Sequence, residues 1–204
     1  MQTERKITSV PNDAFKRPLT MFAALCVSAL LGVLFGALSL CYVSDELSEA
    51  LLSMENGFFS VRANGDFTAI LFDSLSANLI FLGISFFLGF GALSQPLSML
   101  LPFARGVGSG VILAQIYGDS FKDFSPLKAA VVLPGIAVSL IIVILASREA
   151  IFMSVRIFKI CFRDRLSDGL FPKVKNYSAK FVFLLAAASA AALADCVLSL
   201  LLFR

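Results

Sequence analysis

Long apolar stretches separated by short polar ones set the pattern of this chain. Residues 74–118 contain a single charged side chain, that of Arg105. Because about 20 apolar residues cross a bilayer, this stretch is long enough to cross twice. Gln95-Pro96 lies near its middle, and proline disfavours helix in the residue before it. The pattern therefore predicts two spans joined by a tight turn at Gln95-Pro96.

The remaining apolar stretches predict three further spans. Only helices and closed barrels satisfy their backbone in lipid, and the apolar positions do not alternate with a period of two, so we predict an all-α integral membrane protein. A tail of residues 1–20 precedes a single membrane domain, residues 21–204. The five predicted spans are residues 21–43, 74–94, 97–117, 129–147 and 181–203. Composition agrees, since 58% of the chain is hydrophobic and its mean hydropathy is +0.89.

Two polar segments between the predicted spans differ in charge. Residues 44–73 hold six acids and one base, which predicts an acidic loop. Residues 148–180 hold eight bases and three acids. Most charged positions of the first half of this basic segment fall on one helical face, and apolar positions fall on the other. This predicts an interfacial amphipathic helix that continues from the fourth span.

The distribution of lysine and arginine predicts the topology. If the N-terminus lies inside, the inner side holds four bases in the tail and eight in residues 148–180, whereas the outer side holds four in all. The positive-inside rule favours this arrangement, with the C-terminus outside. A single crossing by residues 74–118 would place the two basic segments on opposite sides, so the charge pattern also supports the hairpin.

Two ionisable side chains, Arg105 and Asp195, lie within predicted spans. A charge near the bilayer centre costs about 2.5–3.5 kcal/mol on insertion scales, so each is expected to find a partner. Their depths differ by roughly one arginine side chain, which suggests the hypothesis of an Arg105–Asp195 pair. The alternative partner is Glu149, which Arg105 reaches by extending towards the inner surface. Either pair is compatible with a purely structural role.

Glycines follow Arg105 directly, at Gly106, Gly108 and Gly110. A phosphate-binding loop is disfavoured because neither a preceding strand nor a Lys-Ser/Thr pair is present. The spacing is typical of close helix packing, or of a broken helix lining a cavity. A second small-residue pair, Gly32 and Gly36, offers another close helix contact.

Candidate chemistry is sparse along the chain. There is no histidine, and the four cysteines form no CxxC pair, so a metal site or a disulfide framework is not predicted. Arg148 and Glu149, at the end of the fourth span, are interpreted as an interface anchor. We expect a protein that is not an enzyme and carries no cofactor.

Residues 78–110 and 133–155 resemble the stage II sporulation protein M family. The shared features are Asn78 at the start of a span, Gln95-Pro96 at the hairpin, Arg105 followed by Gly106, Gly108 and Gly110, Leu-Pro at 133–134 and Ala-x-Arg-Glu-Ala at 146–150. The resemblance covers about residues 71–155, whereas the tail and the last span match in hydropathy alone.

This resemblance implies a membrane scaffold of a peptidoglycan-remodelling complex that drives forespore engulfment during endospore formation. It implies stage II sporulation proteins D and P as partners and the mother-cell membrane at the septum as the location. The acidic loop would face the wall side. Besides these proteins, we expect the lipid bilayer and no nucleic acid as partners, and the oligomeric state stays open.

Two alternatives remain from the residues alone. A transporter or permease-like subunit would use the Arg105/Asp195 polar core together with a glycine-broken third span. An enzyme acting on lipid or polyprenyl substrates would need convergent carboxylates or a metal, and ranks third.

Overall fold

Five long helices make up the described part of the computed structural model, which covers residues 13–42, 61, 66–118, 126–163 and 170–202. They are α1 Asp13–Tyr42, α2 Phe67–Leu88, α3 Gln95–Gly118, α4 Pro126–Arg163 and α5 Leu170–Leu202. Each contains a window long and apolar enough to cross a membrane. The prediction of a helical chain with five such spans is confirmed for these residues.

Contacts between the helices fix their relative directions. Reciprocal glycine contacts, described below, show that α1 and α3 run parallel. Ser74 meets Asp195 and Phe86 meets Tyr177, so α2 and α5 run antiparallel. Helix α4 contacts each of the other four helices, and half of its apolar window Val132–Ile160 is buried. It is therefore the central helix of the bundle.

The second helix lies earlier in the chain than predicted. It begins at Phe67 rather than at residue 74 and ends at Leu88 rather than at residue 94. The predicted start excludes Asp73 because it is charged, yet the fold places Asp73 on the interior side, beside Arg105. The predicted acidic loop 44–73 is thus wrong at its end, and the rest of that loop lies mainly outside the described residues.

The hairpin turn also comes earlier than predicted. Residues 89–94 form the turn, and Gln95 and Pro96 are the first two residues of α3. Proline is tolerated there because the first N–H groups of a helix lack intrahelical partners. The Ser94 hydroxyl donates to the Gly91 carbonyl at 2.8 Å. We call this end of the bundle the turn end.

The basic segment 148–180 is mostly helical and is divided between α4 and α5. Residues 148–163 continue α4 without a break, and Ala150, Ile151 and Met153 on this stretch are buried. Arg156 and Lys159 on the same stretch are exposed. The last helix is longer than the predicted span 181–203, because α5 already begins at Leu170.

Close backbone contact joins α1 to α3. A Cβ atom on any of four glycines would overlap a backbone carbonyl oxygen of the opposite helix. These contacts are Gly32 with Phe103, Gly36 with Val107, Gly106 with Ala29 and Gly110 with Val33. The predicted close contact through Gly32 and Gly36 is confirmed. Helix α3 continues through its glycines, so the broken-helix alternative is wrong.

An aromatic cluster packs α5 against the last turn of α2. The Tyr177 ring stacks on Phe86, with ring centres 5.5 Å apart, and its hydroxyl donates to the Phe86 carbonyl at 3.1 Å. Phe90 and Phe181 meet the same two rings edge-on or tilted. A side chain at Gly89 would overlap the Tyr177 hydroxyl. Tyr177 therefore holds the turn end together.

A single added methyl group tests the α1–α3 contact. Gly106→Ala places a Cβ against the Ala29 carbonyl, so the helices must separate, and we expect a loss of about 1–3 kcal/mol in unfolding free energy. The measurement is unfolding by SDS titration in mixed micelles. Gly108→Ala is the matched control, since its Cβ meets nothing within 4 Å. Equal losses in both variants would contradict the close-contact interpretation.

Candidate functional site

A cavity of about 180 Å³ lies among α2, α3, α4 and α5. It occupies the half of the bundle opposite the turn end, since Asp73 lies near the start of α2 and Asp195 near the end of α5. Its polar lining consists of Asp73, Ser74, Asn78, Arg105, Ser109, Ser139 and Asp195. Polar side chains at membrane depth concentrate where they line a cavity or pair with each other, and both conditions hold here.

The Arg105 guanidinium is bound by one hydroxyl group. Its Nε and Nη2 atoms donate to Oγ of Ser139 at 3.0 and 2.7 Å. The guanidinium carbon lies 5.4 Å from the centre of the Phe81 ring, within the range of a cation–π interaction. Ser139 is only 4% exposed, so these hydrogen bonds are shielded from solvent. Arg105 is thus held across α3, α4 and α2.

A chain of hydrogen bonds continues from Ser139 to Asp195. The Ser139 hydroxyl donates to Oδ1 of Asn78, and Nδ2 of Asn78 donates to the Ser74 carbonyl at 3.1 Å. The Ser74 hydroxyl in turn donates to Oδ2 of Asp195 at 2.6 Å. We call this chain the polar relay. It links Arg105 to Asp195 through four helices.

The hypothesis of a direct Arg105–Asp195 pair takes a different form in the structure. Both residues line the same cavity, but they are joined through the polar relay, and Arg105 donates to Ser139. Asp73 lines the same cavity as Arg105 and Asp195. The alternative partner, Glu149, lies nearer the turn end and pairs with Lys180 at 2.7 Å.

The cavity lining carries charges of both signs, with one more acid than base. It contains two carboxylates and one guanidinium, which leaves a formal charge of −1 when all three are ionised. Gly135 keeps this region open on α4, because a Cβ there would lie 3.3 Å from Oδ1 of Asp195. Among the described residues, no group of three His, Cys, Asp or Glu side chains is arranged to hold a metal ion.

The structure separates the predicted site residues into three places. The cavity and its relay contain Asn78, Arg105, Gly108 and Asp195. The α1–α3 contact contains Gly106 and Gly110. The turn end and its neighbourhood contain Gln95, Pro96, Arg148 and Glu149. The guanidinium carbon of Arg148 lies 5.4 Å from the centre of the Phe152 ring.

Three residues of the site are not singled out by the sequence. Ser74 and Ser139 are serines in apolar stretches, where serine is common because it can bond to its own helix. Asp73 falls at the edge of a polar segment. Ser139 lies ten residues before Glu149 and belongs to no sequence motif. Its role is revealed only by the packing of α4 against α2 and α3.

Comparison with protein-family models, with curated proteins and with solved structures finds no match for this chain.

Removal of the Ser139 hydroxyl tests the polar relay. Ser139→Ala takes away the acceptor of two Arg105 donors and the donor to Asn78, and an unsatisfied buried polar group costs about 1–3 kcal/mol. We expect a loss of this size in unfolding free energy, measured by SDS titration. Ser189→Ala is the control, because that exposed hydroxyl bonds only to the Leu185 carbonyl of its own helix. A loss no larger than in the control would argue against the relay.

Proposed function

We propose that this chain is a membrane scaffold that holds extracytoplasmic cell-wall enzymes at the membrane. The observation that supports this most is the polar relay. Within the relay, the hydrogen bonds Ser139–Asn78 and Ser74–Asp195 join different helices, and the bond from Asn78 to the Ser74 carbonyl fixes Asn78 on its own helix. The relay therefore acts as a brace that holds the helices in place. A scaffold needs such a fixed bundle, whereas a transport path needs polar groups that can change partners.

The proposed partners come from the resemblance to the stage II sporulation protein M family. They are peptidoglycan hydrolases of the kind represented by stage II sporulation proteins D and P. In this proposal the protein acts in forespore engulfment, in the mother-cell membrane at the septum. The proposed topology places the N-terminus and the turn end inside and the cavity end outside, as the count of Lys and Arg favours.

The proposed partner contact is the acidic connection between α1 and α2. Residues 44–65 carry four of the six acids counted in the predicted loop, and in this topology they lie on the wall side.

A second candidate function, transport of a small polar solute, has one observation in its favour. The cavity holds charges of both signs at membrane depth, and such residues often mark a solute path. The other argument for transport is a helix break in the third span, but α3 is continuous there. For this reason we rank transport below the scaffold.

A pull-down from sporulating cells tests the scaffold. With an N-terminal tag and mild detergent, we expect the two wall hydrolases to be recovered with the wild-type chain. Replacement of residues 44–65 by a neutral linker should abolish recovery, because the proposed contact is removed. The control replaces residues 164–169, on the opposite side, and should retain recovery. Loss of both hydrolases from the wild-type sample would contradict the proposal.

The charge of Asp195 separates the scaffold from the transporter. Asp195→Asn keeps an oxygen that accepts from Ser74 but removes the negative charge. We expect hydrolase recovery to stay within about two-fold of wild type, because the hydrogen bond from the Ser74 hydroxyl to residue 195 is retained. The second measurement is flux of protons and potassium into proteoliposomes. Flux above that of empty liposomes, lost in Asp195→Asn, would favour transport instead.

A further inference from the structure

Two adjoining pockets lie between α4 and α5 towards the turn end. The first is an apolar groove of about 370 Å³, lined by Leu145, Ala179, Phe183 and Leu184. Its rim is formed by Glu149 and Lys180. An engineered apolar cavity of about 150 Å³ holds a benzene molecule, so this groove has room for a stretch of hydrocarbon chain.

The second pocket is a shallow polar recess of about 20 Å³ that adjoins the first. It has room for about one water molecule, so a larger polar group would lie at its mouth. Its lining includes Arg156 on α4 and Lys173 and Asn176 on α5. Glu149 and Lys180 line both pockets, so the apolar and polar parts form one site. We call it the α4–α5 site.

The charges of the α4–α5 site favour an anion. Its polar part holds three bases and one acid, and the acid, Glu149, is already paired with Lys180 at 2.7 Å. Within the described part of the chain, neither Arg156 nor Lys173 has a carboxylate within 4.0 Å. Two cations that line one small pocket repel each other, and an anion placed between them removes that repulsion.

The depth of each part matches the shape of a phospholipid. Arg156 lies near the end of the apolar window Val132–Ile160, and Lys173 lies at the start of Pro172–Leu201. Leu145 precedes Arg156 by eleven residues, and Phe183 follows Lys173 by ten. At 1.5 Å per residue, Leu145 and Phe183 lie roughly 15 Å deeper in the membrane than Arg156 and Lys173. This distance is about half the hydrocarbon thickness of a bilayer.

We infer that the α4–α5 site binds one anionic phospholipid. The phosphate lies between Arg156 and Lys173, and one acyl chain fills the groove beside Leu145 and Phe183. Lys180 extends from the groove towards the phosphate while bound to Glu149. A zwitterionic lipid fits the groove equally well but leaves the excess positive charge uncompensated.

Titration of phosphatidylglycerol into the full chain in neutral detergent tests this inference. Bound lipid is counted by native mass spectrometry. We expect one lipid per chain, and a weakening of about five-fold for each of Arg156→Gln and Lys173→Gln, as is typical of one basic side chain near an anionic lipid. Lys175→Gln is the matched control, because Lys175 is exposed on α5 and lines neither pocket. An equal weakening in the control would overturn the inference.

The groove is tested separately from the charge. Ala179→Phe fills the apolar part and should weaken phosphatidylglycerol binding at least five-fold, whereas Ala186→Phe, exposed on the same helix, should not. Phosphatidylcholine should bind at least five-fold more weakly than phosphatidylglycerol. Equal binding of the two lipids would overturn the inference. So would complete displacement of phosphatidylglycerol by inorganic phosphate added at the same concentration as the lipid.

Discussion

The Arg105 guanidinium must find its hydrogen-bond acceptors within the protein, because a hydrocarbon layer offers none. Ser139 provides one hydroxyl for two of its donors, and this requirement fixes where α4 lies against α3. The same hydroxyl donates to Asn78, so the position of α2 follows from it. Ser74, one turn earlier on α2, then brings in α5 through Asp195. The arrangement of four helices thus depends on the need to satisfy one cation.

Helix α1 is attached by a different force. Helix association in a bilayer gains little from the hydrophobic effect, so close van der Waals contact between small residues takes its place. The glycines of α1 and α3 interlock over two turns, which puts α1 on the side of α3 away from the cavity. Gly108 lies between Gly106 and Gly110 but faces the cavity. One short glycine series therefore borders two surfaces, and a larger residue at Gly106 or Gly110 would force α1 and α3 apart.

Local sequence patterns predict the number of spans, the hairpin and the glycine contact, because each depends on residues within a few turns of one another. Helix ends are less predictable, since the charged Asp73 lies inside α2, where it lines the same cavity as Arg105. The polar relay is the least predictable feature. Its hydrogen bonds join residues 34, 61 and 121 positions apart, and serine gives no local signal of such a role. Arg105, Asn78 and Asp195 stand out in the sequence, whereas Ser139 and Ser74 do not.

The two ends of the bundle carry opposite charge, and this bears on how the protein lies in a membrane. Carboxylates line the cavity end, whereas Arg156, Lys173 and Lys180 gather towards the turn end. Anionic headgroups attract the second end and repel the first, so the proposed orientation and the proposed lipid site between α4 and α5 are compatible with each other. Helix α4 contacts each of the other four helices and carries Ser139. A lipid bound against the last turns of α4 would therefore stabilise the position of this helix. The same helix therefore couples the membrane surface to the polar interior.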